Sequence, residues 1–308
     1  MLAILCPGQG AQSPGMLSPW LELPGLAESL DAFSEAAQAD LRQLGTEADA
    51  ETIRDTRYAQ PLIVAASLLS FQALVGEDGS AVDVTAGHSV GELAAAAVAG
   101  TLSAHDALTL VGIRGRAMAA AAAVTPTGMS AVVGGDSDEV EDAILANGLT
   151  AANVNGGGQV VAAGTLGQLA ALTEAPPAKA RVIPLEVAGA FHTEHMAPAV
   201  AEVRAATGSL TPADPRATLL SNADGNSVHT GTDALERIVA QVARPVRWDL
   251  CCRTMLDLGV TAAIELAPAG VLSGLARRTL PGVQTLALKS PDQLDAAREL
   301  VREHGGVR

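Results

Sequence analysis

Short apolar runs alternate with longer stretches of helical periodicity along this 308-residue chain. Leu2–Cys6 is an unbroken apolar run that stops at Pro7-Gly8-Gln9-Gly10, which predicts a first strand and a glycine-rich turn. Tyr58–Val75 carries apolar residues at helical spacing after Pro61. Val82–Ala86 is a second β-prone run, followed at once by Gly87-His88-Ser89-Val90-Gly91. Glu92–Ala99 then reads as a helix stopped by Gly100, and Ser103–Ala123 as an Ala-rich helix carrying Arg114 and Arg116. The alternation predicts an α/β fold around a mostly parallel central sheet.

The texture changes after Thr125-Pro126-Thr127-Gly128. Strands are predicted at Met129–Val133, Thr150–Val154, Gln159–Ala163 and Arg181–Val187, with helices at Ser137–Ala146 and Leu166–Thr173. That βαββαβ order is ferredoxin-like and compact enough to be an inserted small subdomain, 126–189. The flanking segments, 1–125 and 190–308, are expected to form one discontinuous large domain. Beyond the insertion, helices are predicted near His195–Ala206 and at Asp233–Val242 and Trp248–Leu258. Strands are expected at Thr218–Ser221 and Ala262–Glu265, and a charged surface helix over Ser290–Gly306.

Composition narrows the function classes. Hydrophobic residues make up 48% of the chain but only three Phe, two Trp and one Tyr are present, so the core must be built from Ala, Val, Leu and Ile. Apolar stretches such as Leu93–Gly100 are too short to span a bilayer. The N-terminus has no basic segment before its apolar run, so it reads as a strand rather than a signal peptide. A soluble, cytoplasmic, monomeric protein is expected, free-standing rather than embedded in a multifunctional chain. Cys6, Cys251 and Cys252 offer neither a disulfide framework nor metal-ligand spacing, so no metal or permanently bound cofactor is predicted. A net charge of −15 disfavours nucleic acid as a partner.

Gly87-His88-Ser89-Val90-Gly91 fits the G-x-S-x-G nucleophile elbow, with an apolar strand before it and a helix after it. In such an elbow the serine sits on a strained strand-to-helix turn at a helix N-terminus, where N–H groups favour negative charge. The Val90 N–H is then placed to donate to an oxyanion. This spacing predicts an α/β-hydrolase-like large domain. A serine hydroxyl needs a base. Among six histidines, His88 adjoins Ser89 but points away in a turn of this kind, and His105, His229 and His304 lie in polar segments. His192, at a predicted strand end, and His195 both remain candidates on the residues alone.

Six segments taken together resemble the malonyl-CoA:acyl carrier protein transacylases. They are Pro7-Gly8-Gln9-Gly10-Ala11-Gln12, the elbow with Glu92, Val111-Gly112-Ile113-Arg114-Gly115-Arg116, Asn153-Val154-Asn155 with Gly158-Gln159-Val160-Val161, Gly189-Ala190-Phe191-His192-Thr193, and Gln241 to Trp248. The matches run in family order along nearly the whole chain. The resemblance implies an acyl-enzyme at Ser89, His192 as its base, and an oxyanion hole from Val90 N–H and Gln9. It also implies a Gln241 carbonyl orienting His192, so that no Asp is needed. Malonyl-CoA is the implied donor, and a transient acyl carrier protein of fatty-acid or polyketide synthesis the implied acceptor.

The same resemblance gives Arg114 the malonyl carboxylate, which a planar guanidinium can grip with two parallel hydrogen bonds. Such an interaction contributes about 1.5–3 kcal/mol, or roughly ten- to a hundredfold in preference over acetyl. Phe191 resembles the malonyl-type rather than the methylmalonyl-type segment. Asn153 and Asn155 are candidate pantetheine contacts. Both partners are anionic, so basic groups are expected at the entrance, with Arg116, Lys179, Arg181, Arg277, Arg278 and Lys289 as candidates. Arg244 stands where the family commonly has Asn before Pro-Val. A thioesterase or esterase on the same elbow is the competing activity.

Overall fold

Leu2–Cys6 lies at the centre of the larger of two sheets, whose spatial order is Gln284–Ala287, Ala262–Glu265, Leu2–Cys6, Val84–Gly87, Thr218–Leu220 and Ser227–Val228. The first five are parallel to their neighbours and the last is antiparallel. This is a computed structural model that describes residues 1–76 and 82–306. Every residue of Leu2–Cys6 is buried, which a parallel sheet covered on both faces requires. Alternation divides the strand between two cores. Leu2 and Ile4 face a large helical cluster, whereas Ala3 and Leu5 pack toward Trp248, Cys251, Met255, Leu272 and Leu275.

Few aromatics force close helix packing. Gly112, in the helix Ala104–Ala122, sits so near the Ala37 carbonyl that a Cβ there would collide with backbone. The helix Thr56–Val75 is 20 residues long with mean hydropathy 1.5, long and apolar enough by those measures to cross a bilayer. The expectation that apolar stretches were too short therefore missed it. In the fold, 72% of that stretch is buried inside the protein, as a core helix is.

The second sheet has the order Ala180–Pro184, Thr127–Gly134, Gln159–Thr165, Thr150–Gly156 and Val246–Arg247. The first four are antiparallel to their neighbours, and Val246–Arg247 adds in parallel at the edge. Helices Ser137–Ala146 and Leu166–Glu174 cover one face, packing Val140, Ile144, Leu169 and Leu172 onto Val132, Val160 and Ala162. Met129, Ala131, Val161 and Ala163 point to the other face and join the large helical core. That face borders the cleft described below.

Four features depart from the expected elements. The strand predicted to reach Val187 ends at Pro184, and residues 185–189 leave the sheet to cross beside the cleft. The helices Leu26–Ala37 and Val271–Thr279 and the strand Gln284–Ala287 were not anticipated. Val271–Thr279 starts where the buried Glu265 carboxylate accepts from the N–H groups of Gly270, Leu272 and Ser273 and from Ser273 Oγ. Its helical start is thus specified by a residue six positions upstream on a strand, which local periodicity does not reveal.

Candidate active site

The elbow forms because Val84–Gly87 and the helix Gly91–Val98 cross too closely for side chains. A Cβ on Gly87 would overlap the Gly91 backbone, and one on Gly91 would overlap the Cys6 carbonyl. Between them Ser89 adopts φ 53°, a left-handed conformation that a non-glycine residue rarely takes and that costs about 1–3 kcal/mol. His192 is also left-handed, at φ 62°. Its turn is held by Thr127 Oγ1, which accepts from Ala190 N at 3.0 Å, and by Thr193 Oγ1, which donates to the Ala190 carbonyl at 2.7 Å.

These two strained residues meet. Ser89 Oγ lies 2.6 Å from His192 Nε2, and His192 Nδ1 lies 2.8 Å from the Gln241 carbonyl oxygen. A carbonyl can only accept, so Nδ1 carries the hydrogen and Nε2 is the acceptor for the Ser89 hydroxyl. Burial, with the Arg114 charge as a second cause, pushes the His192 pKa down to about 3, so the imidazole is neutral at ordinary pH. His195 is half-buried on the following turn and takes no part in this contact. His88 turns away from Ser89: its Nε2 is 2.8 Å from Asn155 Oδ1, and its ring meets Trp248 edge-on.

The Ser89–His192 pair opens on a cavity of about 200 Å³ between the two sheets, lined also by Gln9, Asn153, Asn155, Phe191, Met129 and Leu275. Asn155 is already engaged, since it bonds His88 and donates to Gln159 Oε1 at 3.0 Å. A larger cavity of about 510 Å³ adjoins it past Gln9, Leu185 and Val187, and includes Arg54 and Arg57. Neither arginine was singled out in the sequence. Arg54 pairs with Glu186 at 2.9 Å and Arg57 with Asp55 at 3.0 Å.

Arg114 is 1% exposed, on the helix Ala104–Ala122. Its Nη1 donates to Gln60 Oε1 at 2.5 Å and its Nη2 to Gln241 Oε1 at 2.9 Å. No carboxylate among the described residues lies within 4 Å of it. Burial lowers its pKa to about 10, which leaves it charged near neutrality. The buried Glu92 carboxyl favours that charge through space, but the guanidinium's own hydrogen bonds go to neutral amides, and a buried cation so held gains from an anion that joins it.

Sequence reasoning missed the layer beneath the elbow. Gln241 Nε2 donates to Glu92 Oε2 at 2.5 Å and to the Ser89 carbonyl at 3.0 Å, and lies 3.1 Å from Asn222 Oδ1. Glu92 is 4% exposed, and burial pushes its carboxyl up to about 7. In the sequence Glu92 stands out only as part of the elbow motif, and Gln60 and Asn222 not at all. An acid followed by Leu93-Ala94-Ala95-Ala96 was the available signal for a buried carboxylate.

The proposed oxyanion donors are placed as follows. Neither Gln9 N–H nor Val90 N–H has a hydrogen-bond partner among the described residues, while the Gln9 side chain accepts from Thr56 Oγ1 at 2.9 Å and donates to the Arg54 carbonyl at 3.3 Å. Arg116 lies away from the cavity lining: its Nη1 donates to the Ala37 carbonyl at 2.9 Å, ending the helix Leu26–Ala37. Arg244 is exposed. All three thiols are buried, and burial raises each thiol pKa, Cys252 to about 11. Among the described residues no cluster of His, Cys, Asp and Glu has the makings of a metal site.

Comparison with known proteins matches this arrangement to one family. The acyl transferase domain model matches residues 4–296. A curated relative from Mycobacterium tuberculosis strain H37Rv, a malonyl CoA-acyl carrier protein transacylase, is 53% identical over 306 residues, covering 97% of this chain and all of that protein. The chain belongs to the acyl transferase family, and within it to the malonyl CoA-acyl carrier protein transacylases. The crystal structure of MCAT from Mycobacterium tuberculosis superposes with a TM-score of 0.92, covering 97% of this chain and 99% of that one. The malonyl-transacylase PlMCAT, solved in complex with AntF, a type II PKS acyl-carrier protein, is 27% identical with a TM-score of 0.90 and covers 97% and 99% of the two chains. This transacylase is accordingly a mixed α/β protein with two sheets.

Proposed function

We propose that this transacylase moves a malonyl group from malonyl-CoA to the phosphopantetheine thiol of an acyl carrier protein through a malonyl-Ser89 intermediate. The observation that carries the choice of malonyl is Arg114, a buried cation whose hydrogen bonds go only to the neutral amides of Gln60 and Gln241, the latter joining it to the Ser89–His192 pair. Family membership carries the choice of coenzyme A thioester and carrier protein.

In the proposed mechanism His192 Nε2 takes the Ser89 hydroxyl proton as Oγ attacks the malonyl thioester carbonyl. The N–H groups of Val90 and Gln9 donate to the oxyanion, and the malonyl carboxylate joins Arg114. Collapse expels the coenzyme A thiolate, which leaves with the proton held by His192. The pantetheine thiol then gives its proton to His192 and attacks the acyl-serine, and Ser89 is regenerated as the thioester forms. The Gln241 carbonyl supports the positive charge that His192 acquires in both halves, in place of the carboxylate of a Ser–His–Asp site. Phe191 crowds the space beside the malonyl methylene, and Asn153 contacts the pantetheine chain.

The proposal extends to the architecture. Residues 1–125 and 190–308 act as the hydrolase-like unit, and 126–189 as a ferredoxin-like subdomain that roofs the cavity. The strand order around Thr127–Gly134 supports that division. Family membership supports a cytoplasmic enzyme, and burial of the Thr56–Val75 helix speaks against that helix crossing a membrane.

Mass spectrometry after brief exposure to malonyl-CoA tests the reading. An adduct of malonyl mass on Ser89, discharged by a holo carrier protein far faster than by water, is expected. Discharge by water at an equal rate would establish a thioesterase instead, and the absence of any adduct would exclude acyl transfer through Ser89.

A further inference from the structure

Asn222 lies two residues beyond the strand Thr218–Leu220, which pairs with Val84–Gly87 before the elbow. Backbone pairing between the two strands ends at Ala86 and Leu220, because the chain turns sharply after Gly87. The Asn222 side chain takes over there. Its Nδ2 donates to the Gly87 carbonyl at 2.8 Å, and its Oδ1 accepts from Ser89 N at 2.8 Å. One amide thus brackets the elbow on both sides, as a continuing strand would.

Asn222 is itself fully buried and held from below. Its backbone N–H donates to Glu92 Oε1 at 2.5 Å, while Glu92 Oε2 accepts from Gln241 Nε2. Both carboxylate oxygens are therefore spent on residues that hold Ser89 or His192. Ser89 keeps a left-handed backbone that nothing in its own side chain favours. Strain of this kind persists only where surrounding bonds over-determine it.

We infer that Asn222, braced by Glu92, is a positioning residue that holds Ser89 in its strained conformation and so sets the Ser89–His192 distance. The inference rests on Ser89 being the nucleophile. The bonds of the two side chains reach the elbow backbone, Gln241, Cys251 and each other, so both act through the elbow rather than on the acyl group.

The test compares wild type with Asn222→Ala and Glu92→Gln, measuring the rate of Ser89 malonylation per folded molecule by rapid quench and mass spectrometry. Asn222→Ala removes both elbow bonds and is expected to slow acylation about thirty- to a hundredfold. Glu92→Gln keeps the shape but sets an amide donor against an N–H, and is expected to slow it about tenfold. KM for malonyl-CoA should stay within about twofold in both. A purely structural role predicts fewer folded molecules, each acylating at the wild-type rate, and that result would overturn the inference even if only Glu92→Gln folds. A wild-type protein that forms no Ser89 adduct would instead overturn the malonyl-Ser89 route, and this inference with it.

Discussion

His192 Nδ1 donates to the Gln241 backbone carbonyl at 2.8 Å, so the proposed general base leans on a neutral dipole where many serine enzymes use a carboxylate. With no negative partner, burial and the Arg114 charge dominate and hold the His192 pKa near 3. Two consequences differ in sign from those of a Ser–His–Asp site.

The first concerns rate. His192 is already neutral throughout the range from about pH 5 to pH 8, so protonation of the base does not slow acylation there. Burst rates of Ser89 malonylation in Glu92→Gln, where the carboxyl that burial raises to about 7 no longer titrates, should show no acidic limb near the ordinary histidine pKa of about 6.5. A tenfold fall between pH 7 and pH 5.5 in the burst phase of that variant, with the fold intact by circular dichroism, would contradict the neutral-base arrangement.

The second concerns stability. A group whose folded pKa lies below its unfolded one binds its proton more readily in the unfolded chain. Between about pH 6.5 and pH 3 the unfolded state therefore gains protons at His192 that the folded state refuses, and stability falls as pH falls. His192→Asn removes that titration. Its urea-unfolding midpoint should drop less than the wild-type midpoint between pH 7 and pH 4.5, and equal drops would show that His192 is not the group concerned.

Arg114 should decide selectivity rather than chemistry. Its guanidinium is held by Gln60 and Gln241, and the Glu92 carboxyl acts on it only through space. Removing it in Arg114→Ala is expected to lower kcat/KM for malonyl-CoA by roughly ten- to a hundredfold, the worth of a charge-assisted pair. Acetyl-CoA, which has no carboxylate, should keep or gain activity. The measurement is the ratio of the two kcat/KM values, and an unchanged ratio would remove Arg114 from substrate selection.

Gln60 offers a complementary change. Gln60→Glu would place a carboxylate 2.5 Å from Arg114 Nη1, where an amide oxygen now stands. An internal ion pair would then compete with the malonyl carboxylate for the same cation. KM for malonyl-CoA should rise about tenfold or more while acetyl loading stays near its starting rate. Titration of both acyl-CoA substrates distinguishes this from general damage, which would depress the two together.

The contrast between Ser89 and Asn222 shows where sequence reasoning reached and where it stopped. Gly87, Ser89 and Gly91 form a local pattern, because the crossing of strand and helix happens within five residues, and the elbow could be read directly. Asn222 touches the same elbow from 133 residues away through a single side chain. No spacing rule connects them; only the pairing of Thr218–Leu220 with Val84–Gly87 does. Local pattern favours His192 but leaves His195 as a rival for a similar reason. Their difference is a left-handed turn pinned by Thr127 from another sheet. The alternation of strands and helices was legible because burial imposes period on each element. The capped helix Val271–Thr279 was not, since its start depends on Glu265.

That cap gives a stability prediction with a functional readout. Glu265 is fully buried at the end of a central strand and accepts from three backbone N–H groups and the Ser273 hydroxyl. Glu265→Ala would strand those donors away from water, at a cost of about 3 kcal/mol or more. For a protein of this size the melting temperature should fall by roughly 5 °C or more. Leu272 and Leu275 on the same helix line the active-site cavity, so loosening it should also raise KM for malonyl-CoA while the Ser89–His192 pair stays intact. Thermal unfolding and steady-state kinetics on the same preparation check both halves. An unchanged melting temperature would show that the helix start does not depend on this carboxylate, and a lowered one with unchanged KM would separate the cap from the shape of the cavity.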